Sequence, residues 1–223
     1  MVFKNRQQAA ALLAERLIRY KKQNPLVLGI PRGAAPMARI IADALDGEMD
    51  VALVHKLGAP DNPELAVGSI DESGRVYLGE YAHILGLTDQ EIEAEKERQM
   101  KTLRERRALY TPVHPPADPA GRIVIVVDDG IATGWSMIAA LRSVRAKGPE
   151  KLIAAAAVAP WESLHKIKKL ADEVVCLDVP ADFYAVGQFF DEFTQVSDEE
   201  VVALLQQSRS GPKRAKASGE AAA

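Results

Sequence analysis

The residues best placed to do chemistry are two adjacent acids, Asp128 and Asp129, which follow the five β-branched residues Ile123 to Val127. Behind them run Gly130, Ile131, Ala132, Thr133, Gly134, Trp135 and Ser136, then a helix-compatible stretch to about Arg145. That order reads as a buried strand, a phosphate-sized loop and a helix N-terminus. Such a loop aims backbone N–H groups and the positive end of the helix dipole at an anion, and the Thr133 and Ser136 hydroxyls add donors. The two carboxylates can accept from sugar hydroxyls or hold a hard cation through oxygen. A pentose 5-phosphate satisfies both halves. Each piece alone is ordinary turn or cap chemistry, and it is the strand–loop–helix context that makes the combination specific.

A second loop has similar potential. Pro31, Arg32, Gly33 and Ala34 follow the apolar run Leu26 to Ile30 and precede a helix expected from about Ala35 to Leu45. Gly33 lets the backbone approach an anion, and the Arg32 fork matches phosphate oxygens. Lys56 closes the next expected strand, Val51 to Val54, and opens a polar loop that runs to Glu64. Its compact charge could clamp an anion, and for the residue alone surface solvation is an equal reading. His55 beside it reads as structural or solvent-facing.

Strands alternating with helices must position these loops. Asn5 caps an expected helix to about Lys22, with Ala9, Leu12, Leu13, Leu17 and Tyr20 near one face. Segments 65–70 and 75–78 read as a hairpin around Asp71 to Gly74, with alternation too weak to set its register. Thr88-Asp89-Gln90-Glu91 is a capping box that starts a charged helix to about Tyr110, in which glutamates are interleaved with arginines as on a solvated face. Prolines at 112, 115, 116 and 119 stiffen the connector into the first motif. After it come an expected strand at 152–158, a helix at 162–170, a strand at 173–177 and a last helix from Ser197 to about Gln207. Several strands are apolar throughout, which argues for an open, mainly parallel α/β sheet covered by helices on both faces.

Composition narrows the classes. With 223 residues, 48% of them hydrophobic, residues 1–208 suffice for one domain, and 209–223 lack large apolar residues and read as a disordered tail. A formal charge of −3 speaks against a broad nucleic-acid face. The single cysteine, Cys176, sits in an apolar run as a small buried hydrophobe and suits a reducing compartment, and four scattered histidines lack metal-ligand spacing. No signal-like or membrane-length apolar run is present, so a cytoplasmic protein is expected.

The first motif resembles the phosphoribosyl pyrophosphate-binding motif of type I phosphoribosyltransferases: a hydrophobic strand, two acids and a loop ending in Thr-Gly-x-Ser. Together with Phe3-Lys4-Asn5-Arg6, Pro31-Arg32-Gly33, Lys56-Leu57-Gly58 and Phe183-Tyr184-Ala185-Val186-Gly187-Gln188-Phe189, it makes residues 3–207 similar to the bacterial members of unassigned substrate. The resemblance implies phosphoribosyl transfer from 5-phosphoribosyl 1-pyrophosphate and Mg²⁺ to a nucleobase-like acceptor, with pyrophosphate released. It implies Asp128 and Asp129 for the ribose, Gly130 to Ser136 for the 5-phosphate, and Arg32, Gly33, Ala34 and Lys56 for the pyrophosphate. Arg32, Lys56, Asp128 and Asp129 would then be the catalytic groups, and Tyr184 would stack on the base. Asp128 and Asp129, with Asp191, would face the metal ion. It also implies a hood over the site, built from about 56–80 and 180–193. A homodimer is the default for such an enzyme.

Three residues depart from the family pattern, Ala34 only mildly, since it stands where the pyrophosphate loop commonly carries a second glycine. Trp135 stands where a small residue is usual, its bulk either narrowing the phosphate site or packing outward. Ala132 stands where 6-oxopurine enzymes carry an aspartate base, and it cannot accept a proton. Another carboxylate such as Glu64 or Asp191 could serve, or the acceptor could enter already anionic. The alternative reading is a non-catalytic regulatory protein that senses phosphoribosyl pyrophosphate or a nucleotide.

Overall fold

The computed structural model describes residues 1–208, so the tail at 209–223 lies outside the described residues. The chain runs α1 (Arg6–Leu17), β1 (Leu26–Gly29), α2 (Ala35–Leu45), β2 (Glu48–Val51), β3 (Val54–Ala59), β4 (Asn62–Asp71), β5 (Val76–Leu78), α3 (Glu80–Ile84) and α4 (Asp89–Tyr110). It continues with β6 (Ile123–Gly130), α5 (Trp135–Arg145), β7 (Lys151–Val158), α6 (Trp161–Ile167), β8 (Glu173–Asp178) and α7 (Asp198–Gln206). Five strands form an open sheet in the order β2-β1-β6-β7-β8, every pair parallel. The expected parallel α/β architecture is therefore present.

Alternation along each strand divides the core between two faces. Val27, Ile125, Val127 and Ile153 pack with the buried stripes of α1 and α2, whereas Leu28, Val124, Val126 and Leu152 pack with α5 and α6. The β-branched run that announced β6 is its centre, with Val124 to Val127 wholly buried. Covering both faces is what allows a strand this apolar. No helix among the described residues is long and apolar enough to cross a membrane.

Three sequence expectations are corrected. The first helix stops at Leu17 and tightens into one 3₁₀ turn, Ile18–Tyr20; Lys22, expected to be its last residue, has a left-handed φ of 64° and donates its N–H to Leu45. The strand expected at 51–54 is a junction: Val51 ends β2 in the parallel sheet, and Val54 begins β3 in a separate sheet of order β3-β4-β5. Ala52 and Leu53 are buried between the two sheets, so apolar continuity hid the break.

The loop expected at 56–64 is instead an antiparallel hairpin of β3 and β4, reversing at Pro60-Asp61. Glycine and proline there mark strand irregularities rather than a loop. Gly58 sits at the register shifts of the pair, and Pro63 lies where β4 has β3 but not β5 as a neighbour. The β4–β5 hairpin does form around Asp71 to Gly74. Its turn is tied by the Asp71 carboxylate, which accepts from the Ser73 N–H and hydroxyl and from the Arg75 N–H. The capping box predicted at Thr88 heads α4 as expected.

Cys176 lies half-buried on β8 and donates from Sγ to the Asp178 carbonyl at 3.1 Å. Burial pushes its thiol up to about 11. Little thiolate exists at pH 8, so iodoacetamide should label the native chain on the order of a hundredfold more slowly than the chain unfolded in guanidinium. Mass spectrometry against time checks this, and equal rates would contradict the burial.

Candidate active site

In the main sheet β1 lies between β2 and β6, so the crossover through α2 leaves in one direction and that through α5 in the other. Open α/β sheets bind ligands in the crevice that such a reversal leaves at the strands' carboxyl ends. Here the crevice is a cleft of about 390 Å³, lined by Arg32 and Gly33 from the loop after β1, by Asp128, Asp129 and Ser136 from β6 and its loop, and by Arg6. Gln195 and Val196, just before α7, complete the wall. The two loops singled out in the sequence thus meet.

The acids are not equivalent. Asp129 is 9% exposed, and its Oδ2 accepts from Arg6 Nε at 2.8 Å. Asp128 is only half-buried, and its Oδ1 accepts the Asp129 N–H at 3.0 Å. Burial pushes both carboxyls above the usual range, most strongly at Asp128, where the neighbouring Asp129 charge adds to it; at Asp129 the Arg6 guanidinium opposes the rise. Arg6 is itself held from three sides, since Nη1 donates to the Thr194 carbonyl at 2.6 Å and the guanidinium lies 3.9 Å from the centroid of the Phe193 ring.

Gly33 has a steric reason to be glycine. A Cβ there would stand 2.3 Å from Asp129 Oδ2. The Pro31–Arg32 peptide is cis. Arg32 Nη1 lies 3.5 Å from Asp198 Oδ2, and Asp198 also meets Arg106 and accepts from the Tyr110 hydroxyl. Ala34 is wholly buried behind the loop and donates its N–H to Ile30 at 3.2 Å.

The loop after β6 stays tied to the sheet through Ile131 N–H, which donates to Val158 at 2.8 Å. Gly134 then adopts a φ of 88°, a left-handed conformation that suits glycine, and heads α5 without a side-chain cap. The first-turn N–H groups of α5 therefore lack intrahelical acceptors and side-chain substitutes, as an anion site requires. Ala132 and Thr133 are exposed, and the Ala132 carbonyl accepts from Ser163 Oγ at 2.5 Å. The Trp135 ring packs onto Gly79, and Ser136, not Trp135, lines the cleft.

Other candidates stand elsewhere. Lys56 is within β3 opposite Ser69, not at the end of a strand. Tyr184 is 88% exposed, whereas Phe189 and Phe190 in the same aromatic run are buried as core. Asp191 is exposed and its N–H donates to the Phe3 carbonyl at 2.9 Å, pinning this segment to the N-terminus. The Glu64 side chain lies outside what the structure describes. Among the described residues no three His, Cys, Asp or Glu side chains converge on a metal-sized site. Asp128 and the second Asp129 oxygen fit a Mg²⁺ ion that draws its remaining ligands from substrate and water, which is how this ion is commonly held.

Gln195 and Val196 escaped sequence reasoning, and Arg6 entered it only within the Phe3 to Arg6 stretch that carries the resemblance, with no role of its own. Arg6 shares the buried stripe of α1 with Ala9, Leu13 and Leu17, so an arginine heading an apolar face was the available signal.

Residues 2–192 match the family model described as a phosphoribosyl transferase domain. A protein of Mycobacterium tuberculosis named "putative phosphoribosyl transferase" is 40% identical over 205 residues, which cover 92% of this chain and 46% of that protein. The chain thus spans about half the length of the curated relatives it matches. The crystal structure of TT1426 from Thermus thermophilus is similar with a TM-score of 0.79 and 46% identity, over 92% of this chain and 98% of that one.

The contact between Gly33 and Asp129 is directly testable. Gly33→Ala should displace the Asp129 carboxylate from Arg6 and lower the unfolding free energy by about 1–3 kcal/mol. Urea denaturation measures it; a midpoint equal to that of the wild type would show that the loop and the acid are not in contact.

Proposed function

The chain belongs to the phosphoribosyltransferase family, and from that premise we propose that its cleft transfers a phosphoribosyl group from 5-phosphoribosyl 1-pyrophosphate to a nucleobase-like nitrogen acceptor, with Mg²⁺ bound and pyrophosphate released. The observation that carries this reading is the convergence of the acid pair, an uncapped helix N-terminus and the Arg32 loop on one cleft. On this reading the protein acts on small molecules, as a cytoplasmic homodimer.

The roles follow from charge. The N-terminus of α5, with Thr133 and Ser136, takes the 5-phosphate. The acid pair faces the ribose end of the cleft, where a carboxylate acceptor makes stronger bonds to sugar hydroxyls than a neutral one. Arg32, in the cleft wall, faces the leaving pyrophosphate; Lys56, on β3 outside the cleft lining, is the second cation assigned to it in this proposal. As the anomeric carbon loses its leaving group, positive charge develops on the sugar, as in glycoside cleavage, while negative charge grows on the pyrophosphate. Fixed cations at the leaving group lower that barrier because they need no reorganisation. Mg²⁺, when bound, supplies further neutralisation of the departing charge. Segments 56–80 and 180–193 form the hood in this proposal, with Tyr184 available to stack on the base.

A second reading, a sensor that binds phosphoribosyl pyrophosphate or a nucleotide without turnover, has one observation in its favour. Ala132 is exposed in the phosphate loop and offers no proton acceptor, and the other titratable cleft residues beside the acids are arginines. Release of pyrophosphate with any of a panel of nucleobases decides for transfer, and tight binding without release across the panel decides for the sensor.

Asp128→Asn combined with Asp129→Asn should weaken binding of phosphoribosyl pyrophosphate with Mg²⁺ by about tenfold or more, since hydrogen bonds to charged groups are each worth about 1.5–3 kcal/mol. Calorimetry measures the affinity and circular dichroism confirms the fold. Undiminished affinity in a folded variant would rule out the ribose role.

A further inference from the structure

Arg6 lies 123 positions before Asp129, yet its guanidinium is one wall of the cleft. Its contacts leave it little freedom. Nε is on Asp129 Oδ2 at 2.8 Å, Nη1 is on the Thr194 carbonyl at 2.6 Å, and its flat face lies 3.9 Å from the Phe193 ring centroid. The side chains of this ion pair are 10% and 12% exposed, so solvent screens it weakly. Asp129 Oδ2 in turn rests against Gly33, where no Cβ competes for the space. Asp128, the less buried residue of the two, lines the cleft beside it, with its Oδ1 fixed by the Asp129 N–H.

We infer that Arg6 is a positioning residue that withdraws Asp129 from the ligand, so that Asp128 is the acid that receives the ribose hydroxyls. The inference rests on the reading of the cleft as a ribose-phosphate site and divides the labour within its acid pair. With Arg6 in place, Asp129 Oδ2 is spent on the protein. Without it, the carboxylate can turn toward Arg32, the other cleft cation, and into the space that the sugar would fill. The same guanidinium joins α1, the end of β6 and the 193–196 segment, so the ion pair also sets the wall that faces the ribose.

The test compares ribose 5-phosphate with inorganic phosphate by calorimetry, because the ratio of the two affinities isolates the sugar end from any general change in charge. The wild-type protein should prefer ribose 5-phosphate. Arg6→Met should cut that preference about tenfold, the scale of one charge-assisted contact. Adding Asp129→Asn to Arg6→Met should bring it back to within about threefold of the wild type, since no mobile carboxylate remains, and contacting residues couple in this non-additive way. A role limited to stability would show no such rescue. Arg6→Gln, alone and with Asp129→Asn, replaces the methionine variants if thermal melting shows them unfolded. A wild-type protein without the preference overturns the ribose-phosphate reading and this inference with it. A preference that survives in the Arg6 variant, or that Asp129→Asn fails to restore, overturns the role of Arg6 alone.

Discussion

The reversal of strand order between β1 and β6 is the constraint on which the site depends. Two parallel strands lie side by side, but their following helices cover opposite faces of the sheet, so the loops after them part and leave a crevice. The two loops that carry most of the cleft are positioned by that event. Arg32 and Gly33 stand at the carboxyl end of β1, and the acids and Ser136 at that of β6. Both α2 and α5 begin at this edge without side-chain caps, so their positive ends are directed to the same place. The five-stranded core makes the geometry rigid, and the loops carry the chemistry.

Two carboxylates at the end of a buried strand are costly, because burial and mutual repulsion both oppose their charge. The fold offsets this from a distance. Arg6 reaches Asp129 from the first helix, and its removal would leave a buried charge unpaired, a defect typically worth about 3–5 kcal/mol. On the other side of the cleft, Asp198 at the head of α7 draws Arg32, Arg106 and the Tyr110 hydroxyl together, so α4 and α7 brace the loop after β1. The Tyr110 phenol is held well above its usual range by burial and by Asp198, and it remains a donor at any physiological pH. The site is thus braced by two ion-pair clusters whose members come from α1, α4 and α7, from the end of β6 and from the loop after β1.

Most of the main sheet was legible because its central strands are apolar on both faces, and β6, α5 and α4 fall where β-branched residues, Gly134 and the Thr88 capping box place them; β2, which carries Glu48 and Asp50, was read three residues late. The small sheet was not legible. Its first hairpin carries Gly58, Pro60 and Pro63, residues that usually mean a loop, and only the pairing of β3 with β4 shows that they mark a bulge and an unpaired margin. In the site, Asp128, Asp129, Arg32 and Gly33 were readable from local context, since each sits in a loop next to its own strand. Arg6 was not, because its role depends on a contact across 123 positions that no local pattern encodes. The Phe183 to Phe193 segment shows the same limit: Phe189 and Phe190 are core while Tyr184 is exposed, a distinction made by packing on Phe3.

This division between local and distant contributions has a functional consequence under the proposed reading. Apart from Lys56 on β3, the groups for the phosphoribosyl donor come from strand ends and helix N-termini of the main sheet, which a change of acceptor need not disturb. Tyr184, proposed for the acceptor side, comes from the segment before α7, outside the five-stranded sheet. Trp135 links the main sheet to the small one, since it opens α5 at the phosphate loop while its ring packs onto Gly79 just after β5. The bulk of Trp135, unusual for a phosphate loop, has a physical use at that joint: it replaces a gap between two independently hydrogen-bonded sheets with a packed aromatic contact.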